Sequence, residues 1–363
     1  MSIGNRTFFT AEHILAHKGS APAQLAEQVV YCLELVAELV GQGLDYQFKG
    51  GNSLLVILQD PQRFSIDVDI ATDEPREKIE TCLSSLTALS DVFSRWEPRK
   101  HKTKPWIPLA SYYLYFDSRF VAPEDAFIML DVQLSKSPYA TEPKKIQCRR
   151  LYTADVKVNV PTPGAIIGDK LLTLGPSTLG IPIGKGKDAQ RIKHAFDVSL
   201  LLETGPAASE IRESFCACIG HEEEIQQRTI PIDEVVFDTL KLCASVAGFE
   251  HKPQADADRL HPYLYENCIG LPDFMPHVFA RPYDWATLQV DFSRVALALC
   301  AAHDDKLDEQ QFALMLDPVF ESHSLHLIDE GILHHNQLAR NNWAKVCSRM
   351  GRRFAELSPV QSD

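Results

Sequence analysis

The stretch "RFSIDVDIA", residues 63–71, alternates without a break, with Phe64, Ile66, Val68 and Ile70 on one side and Ser65, Asp67, Asp69 and Ala71 on the other. A period of two is the pleat of a β-strand; a helix would not sort these residues onto two faces. Such a strand presents two carboxylates on one face, roughly 6–7 Å apart at Cα. They repel unless something cationic sits between them. A hard divalent ion such as Mg²⁺ suits the pair, because it takes oxygen ligands and keeps substrate phosphates in its shell.

The residues upstream supply a partner for that ion. "LDYQF" reads as a short strand, "SLLVIL" as a buried helix, and between them lies Gly50-Gly51-Asn52-Ser53. Glycines let main-chain N–H groups approach a phosphate with no Cβ in the way, and the helix that follows adds the favourable end of its dipole. Ser53 can donate its hydroxyl to the same phosphates. This is not a P-loop, since no GK[ST] follows. A third carboxylate comes from "AFIMLDVQLS", where Ile128, Leu130, Val132 and Leu134 fill one face and leave Asp131 on the other. If that strand neighbours the first, Asp67, Asp69 and Asp131 converge. They would then support in-line phosphoryl or nucleotidyl transfer, with Asp131 as metal ligand or base toward the attacking hydroxyl.

Around this core the chain divides in two. Leu25, Val29, Leu33, Val36 and Val40 mark one long amphipathic helix that ends at Gly41 and Gly43. A helix is expected near Arg76–Ala88, and strands at Ser111–Phe116, Ala126–Ser135 and Ile146–Tyr152. From the "PTPG" break onward the periodicity becomes helical, at about Ala165–Leu174, Asp188–Glu203, Ala207–Gln227 and Asp233–Ala247, with more up to Glu356. The fold class is α+β: a mixed-sheet domain over residues 1–160, then a helical domain over 161–363 that completes the nucleotide and acceptor cleft.

A formal net charge of −13 excludes a chain that holds nucleic acid simply by being basic. Contact with nucleic acid has to come from local patches. Two are visible: Arg95, Arg99, Lys100, Lys102 and Lys104 between Trp96 and Trp106, and Lys144, Lys145, Arg149 and Arg150. Basic side chains beside aromatics can hold an RNA backbone and stack an unpaired end. The nine cysteines show no CxxC framework and read as buried thiols of a reducing cytoplasm. The His334–His335 pair lacks the spacing of a structural zinc site and reads as part of a polar helix face. No signal peptide opens the chain, and the best apolar run, "VALALCAA" from Val295, is far short of the ~20 residues that span a bilayer. The expectation is a soluble, cytoplasmic protein.

"FKGGNSL…RFSIDVDIA" resembles the signature of the AbiEii-type nucleotidyltransferase toxins, within the polymerase-β-like nucleotidyltransferase superfamily. The resemblance implies that Gly50, Gly51 and Ser53 contact a triphosphate, that Asp67 and Asp69 hold Mg²⁺, and that Arg63 fixes the turn or a phosphate. A second cluster of such proteins is similar to "GDKLLTL…RIKHAFDVSLL", which puts Lys170 at the nucleotide phosphates and has Asp197 orient it or a neighbouring cation. His194 stands where that cluster usually has its first aspartate, and Lys187, Asp188 and Arg191 are candidates for replacement charge. The function implied is transfer of NMP from an NTP to an RNA acceptor such as the tRNA 3′ end, by the toxin of a toxin–antitoxin pair with a cognate antitoxin. The alternatives are transfer to a small molecule or protein hydroxyl, and a non-catalytic nucleotide-binding member of the fold.

Overall fold

A computed structural model describes residues 2–58, 60–99, 108–122, 124 and 126–359. Lys100, Lys102, Lys104 and Trp106 of the first basic run lie outside the described residues. The chain forms two compact units, one of Met1–Thr162 with His277–Arg281, the other of Pro163–Pro276 with Pro282–Asp363. The short segment His277–Arg281 therefore returns to the first unit, a crossing that a division at residue 160 does not contain.

The first unit begins with helices α1 (Ala11–His17) and α2 (Ala23–Gly41), then strand β1 (Gln47–Lys49) and helix α3 (Gly50–Ile57). It continues through β2 (Asp67–Ala71), α4 (Arg76–Leu89), β3 (Phe93–Pro98), β4 (Leu109–Phe116), β5 (Phe127–Gln133), β6 (Thr141–Cys148) and β7 (Tyr152–Pro161). The strands make one seven-stranded sheet in the order β3-β4-β5-β2-β1-β7-β6. It is mixed: β1–β7 and β2–β5 run parallel, and the other neighbours run antiparallel.

Alternation sorts the central strands into two faces. Phe48, Val68, Ile70, Ile128, Leu130, Val132, Tyr112 and Leu114 are all buried, in one core with Val29, Leu33 and Val36 of α2 and Ile79 and Leu83 of α4. The opposite face carries the polar set. Tyr46 donates its hydroxyl to the Val36 carbonyl at 2.5 Å, which ties the end of α2 to the strand that leads into the glycine turn. Glu34, wholly buried in α2, accepts from the Ile3 and Gly4 amides and from the Tyr152 hydroxyl at 2.6 Å, so the N-terminal segment and β7 close on one carboxylate.

The structure corrects the strand boundaries at two places. The segment Ile146–Tyr152 is not one strand but the hairpin between β6 and β7, turning at Arg149 with φ 47°. β3, with only its first residue fully buried, lacks the apolar alternation that would have announced it. The first alternating stretch also starts late: Arg63 makes an isolated bridge to Val278, and regular strand begins only at Asp67.

The second unit is helical: α5 (Pro163–Leu172), α6 (Asp188–Leu202), α7 (Ala208–Gln226), α8 (Ile232–Ala244), α9 (Pro262–Phe274), α10 (Trp285–His303), α11 (Glu309–Leu316), α12 (Gln337–Met350) and α13 (Phe354–Leu357). Its core forms around α10, whose residues Val295–Ala302 are all buried. The fold class is thus α+β with a helical C-terminal region. His334 and His335 precede α12 rather than lying on a helix; His334 contacts the Gly331 carbonyl and His335 the Gln289 side chain. All nine cysteines are free, and all but Cys216 are buried. Among the described residues, no helix is long and apolar enough to cross a membrane.

One turn of α2 on from Glu34, Glu38 is 6% exposed, and burial together with the charge of Glu34 raises its carboxyl to about 7. A raised carboxyl binds its proton more tightly folded than unfolded, so its contribution is fully present below about 4.5 and is lost as pH climbs through 7. Glu38→Gln is expected to raise the melting temperature at pH 8 and to leave it unchanged at pH 4, as followed by circular dichroism.

Candidate functional site

In the first unit the site is a row of side chains across four adjacent strands. Lys49 on β1 pairs in register with Asp69 on β2, Asp69 with Asp131 on β5, and Asp131 with Ser111 on β4. Paired residues project to the same face of a sheet. The row Lys49, Asp69, Asp131, Ser111 therefore alternates from cation through two carboxylates to a hydroxyl. Asp67 lies one pleat along β2, opposite Met129.

Each acid has a distinct setting. Ser111 is 5% exposed and donates its hydroxyl to Asp131 Oδ1 from the neighbouring strand β4. Lys49 extends along the sheet to Gln133 Oε1 at 3.0 Å and Ser137 Oγ at 3.2 Å, and Gln47 holds the Ser137 backbone through both its amide atoms. The acids share a face and a neighbourhood, yet among the described residues no group of three or more His, Cys, Asp or Glu side chains converges into a metal cage. The pleat accounts for this, since Asp67 and Asp69 are two residues apart and Asp131 leans on Ser111. A Mg²⁺-type ion does not need such a cage, because it is normally held by one or two carboxylates with waters and substrate phosphates completing its shell. The all-oxygen donor set fits a hard cation of that kind.

The glycine turn is built against this row. Gly50 has φ +71°, a conformation that L side chains rarely adopt, and a Cβ there would lie 2.6 Å from Asp69 Cγ. Both the dihedral and the space demand glycine. A Cβ on Gly51 would meet Ser65 Oγ at 2.9 Å and Arg63 Nη2 at 3.0 Å. Arg63 itself is only 5% exposed and bonds the Phe64 carbonyl, and its strand-like segment is backed by Val278 and by Phe279, whose ring packs on Phe64 at 4.6 Å. Ser53 is fully buried and donates to the Gly50 carbonyl at 2.9 Å, closing the first turn of α3. Asn52, beside it, was given no role by the sequence; its buried amide lies near the Cys32 thiol and meets no partner at hydrogen-bond geometry. Burial pushes that thiol up, and the charges of Asp67 and Asp69 act in the same direction.

In the second unit, Lys170 of α5 and Asp197 of α6 form an ion pair at 2.9 Å, with side chains 4% and 0% exposed. A lysine late in a helix ordinarily keeps its head in water; this one is sequestered. Arg191 is equally enclosed, bound to Glu266 Oε2 at 2.8 Å and the Ile181 carbonyl at 2.7 Å. Glu266 also accepts from the Gly184 amide, so Arg191 and Glu266 anchor the segment before α6. Asp188, next to Glu266, is raised to about 6 by burial, by its hydrogen bond to Glu266 and by that residue's charge. The charge expected of Asp188 and Arg191 as substitutes in the second cluster is accordingly committed to this buried group.

Comparison with known proteins agrees with the class of chemistry such a site suggests. Residues 35–255 match the family model described as nucleotidyl transferase AbiEii toxin, type IV toxin–antitoxin system. MenT4, a nucleotidyltransferase toxin from Mycobacterium tuberculosis H37Rv, is 16% identical with a TM-score of 0.42, over 84% of this chain and 91% of that one. An antigenic nucleotidyltransferase-like protein from Paracoccidioides brasiliensis is 13% identical with a TM-score of 0.35, over 57% of this chain and 95% of that one. The sequence matches none of the curated proteins compared with it. The protein is a nucleotidyltransferase. More narrowly, the chain belongs to the AbiEii family of nucleotidyltransferase toxins of type IV toxin–antitoxin systems, a membership that implies an NTP substrate and a cognate antitoxin.

Two stability measurements check this geometry. Gly50→Ala is expected to cost at least about 1–2 kcal/mol in urea unfolding from its dihedral alone, and more because Asp69 blocks the new methyl. Asp197→Ala, which strands a buried ammonium, is expected to cost about 3–5 kcal/mol, with much of the loss recovered in the double variant Lys170→Met/Asp197→Leu.

Proposed function

We propose that this protein moves the NMP of an NTP onto an RNA acceptor, such as the tRNA 3′ end, in a Mg²⁺-dependent reaction, and that it inhibits growth in this way unless its antitoxin intervenes. The observation that carries the reading is the registered row Lys49, Asp69, Asp131, Ser111 with Gly50 packed directly on Asp69. It puts a helix N-terminus and an acid pair within one residue of each other on the sheet.

The chain's own groups divide the work. The N–H groups at the start of α3 take the triphosphate oxygens, where the absence of Cβ atoms on Gly50 and Gly51 permits close approach. Ser53 keeps the turn closed through the Gly50 carbonyl and has its hydroxyl available to a phosphate only if that bond is exchanged. Arg63, enclosed behind Gly51, fixes the turn. Asp67, Asp69 and Asp131 would hold Mg²⁺, which when bound neutralises the leaving pyrophosphate and lowers the pKa of the attacking hydroxyl. In the transfer, the acceptor oxygen bonds the α-phosphorus while the bond from that phosphorus to the bridging oxygen breaks. The bond's electrons leave with pyrophosphate. The hydroxyl proton passes to Asp131, whose orientation Ser111 sets, and from there to solvent. Lys170, held in place by Asp197, is assigned to the nucleotide phosphates through the family resemblance.

Purified protein incubated with Mg²⁺, each labelled NTP in turn and total tRNA is expected to label RNA. Asp69→Asn should reduce that label by at least about a hundredfold, the scale of losing one preorganised electrostatic contact in a transition state. Label confined to protein or small molecules would replace the RNA acceptor with another, and no turnover and no NTP binding with any NTP would defeat the enzymatic reading itself.

A further inference from the structure

The acid-bearing face of the sheet does not end at Asp131. The next same-face pair along β4 and β5 is Tyr113 with Met129, followed by Tyr115 with Phe127, and β3 adds Glu97 opposite Tyr113 and Arg95 opposite Tyr115. The three rings form one cluster: Tyr113 and Phe127 have centroids 4.9 Å apart at 70°, Tyr115 and Phe127 5.9 Å apart at 61°. Arg95 lies over Tyr115, 3.5 Å from the ring centroid, and Arg99 stands 5.9 Å from that of Tyr113. Tyr113, Tyr115, Phe127 and Met129 are all half-exposed, whereas their neighbours on the other face, Tyr112, Leu114, Ile128 and Leu130, are wholly buried. Cross-strand pairing explains why the rings touch. It does not require three partly exposed rings beside two arginines in a chain of net charge −13, one residue pair from a carboxylate site.

Resting on the reading that the site transfers NMP to RNA, we propose that this aromatic and arginine surface of β3, β4 and β5 is the acceptor platform. Its occupant is the unpaired 3′ end of an RNA. The terminal bases lie on Tyr113 and Phe127, and the backbone phosphates lie at Arg95, which covers Tyr115, and at Arg99. Consecutive same-face residues on a strand are ~7 Å apart, close to one nucleotide step, so a base on Tyr113 puts the terminal ribose hydroxyl beside Asp131 and Asp69. A duplex end conceals the base faces that open rings stack, so the platform selects single strands. Glu97, which pairs with Arg95 and accepts from the Tyr115 hydroxyl at 3.3 Å, holds the arginine over the ring but opposes the phosphates.

Fluorescence anisotropy with a labelled single-stranded RNA and the same sequence closed into a blunt-ended hairpin, without NTP, tests this. The single strand is expected to bind and the hairpin to bind at least tenfold more weakly. Tyr113→Ala and Phe127→Ala should each weaken single-strand binding about 5- to 100-fold, the range for one lost stacking contact, while Tyr113→Phe retains it. Arg99→Gln should weaken binding and flatten its salt dependence, and Glu97→Gln should tighten it. Arg99 and Glu97 are exposed, so these two variants read the platform even if the change of a partly buried ring perturbs folding. In the transfer reaction the same substitutions should raise KM for RNA and spare kcat at saturating RNA. If all of them bind and modify RNA like the unaltered protein while Asp69→Asn abolishes transfer, the platform is wrong and the reaction stands. If the unaltered protein labels only protein and binds no RNA, the platform falls together with the RNA acceptor.

Discussion

The contact between Gly50 and the Asp69 carboxylate is the point on which the rest of the first unit's organisation turns. β1 is only three residues long, so the chain has to leave it and enter α3 at once, and it does so in a left-handed conformation pressed against the neighbouring strand's acid. A larger residue would force either the strand pair or the helix to move. Because β2 is also the parallel partner of β5, any shift at Gly50 is passed through Asp69 to Asp131 and to the Ser111 that holds it. The electrostatics follow from the packing, since like charges on adjacent strands are tolerable only when cations and hydroxyl donors are fixed beside them.

Much of this was legible in residues 48–71, because strict alternation leaves no freedom about which face an aspartate takes. The parallel pairing of β2 with β5 was not; two strands sixty residues apart in sequence carry no mark of adjacency, and only the apolar and polar faces of each could be read. The hairpin at Arg149 escaped for a local reason. Its left-handed residue is an arginine, where glycine or asparagine would have advertised the turn. β3 escaped because an edge strand with an open face shows no periodic burial to detect, and its exposure is the same property that makes Arg95 available at the surface.

The second unit shows a different limit. Nothing in "GDKLLTL" distinguishes a solvated lysine from one enclosed with Asp197, because burial there is decided by how α5 and α6 pack rather than by the seven residues themselves. The same packing consumes Arg191 in a pair with Glu266, a residue seventy-five positions away that no spacing rule would have selected. Enclosed ion pairs of this kind are poor sources of stability but unforgiving of single substitutions, since removing one partner leaves the other charged and dry.

The return of His277–Arg281 to the first unit has a consequence for the order in which the protein can be made. Val278 pairs with Arg63, Phe279 donates its amide to the Gln62 carbonyl and packs its ring edge-on against Phe64, and Ser20 donates to the Phe279 carbonyl. On the ribosome, the sheet domain therefore waits for these residues until most of the helical part has already emerged. A chain released early, after residue 162, would carry both strands of the acid pair but lack the backing for the arginine behind its glycine turn. An enzyme harmful to its own cell thus has the support of its turn completed late in translation, which keeps fragments less complete than their length would suggest.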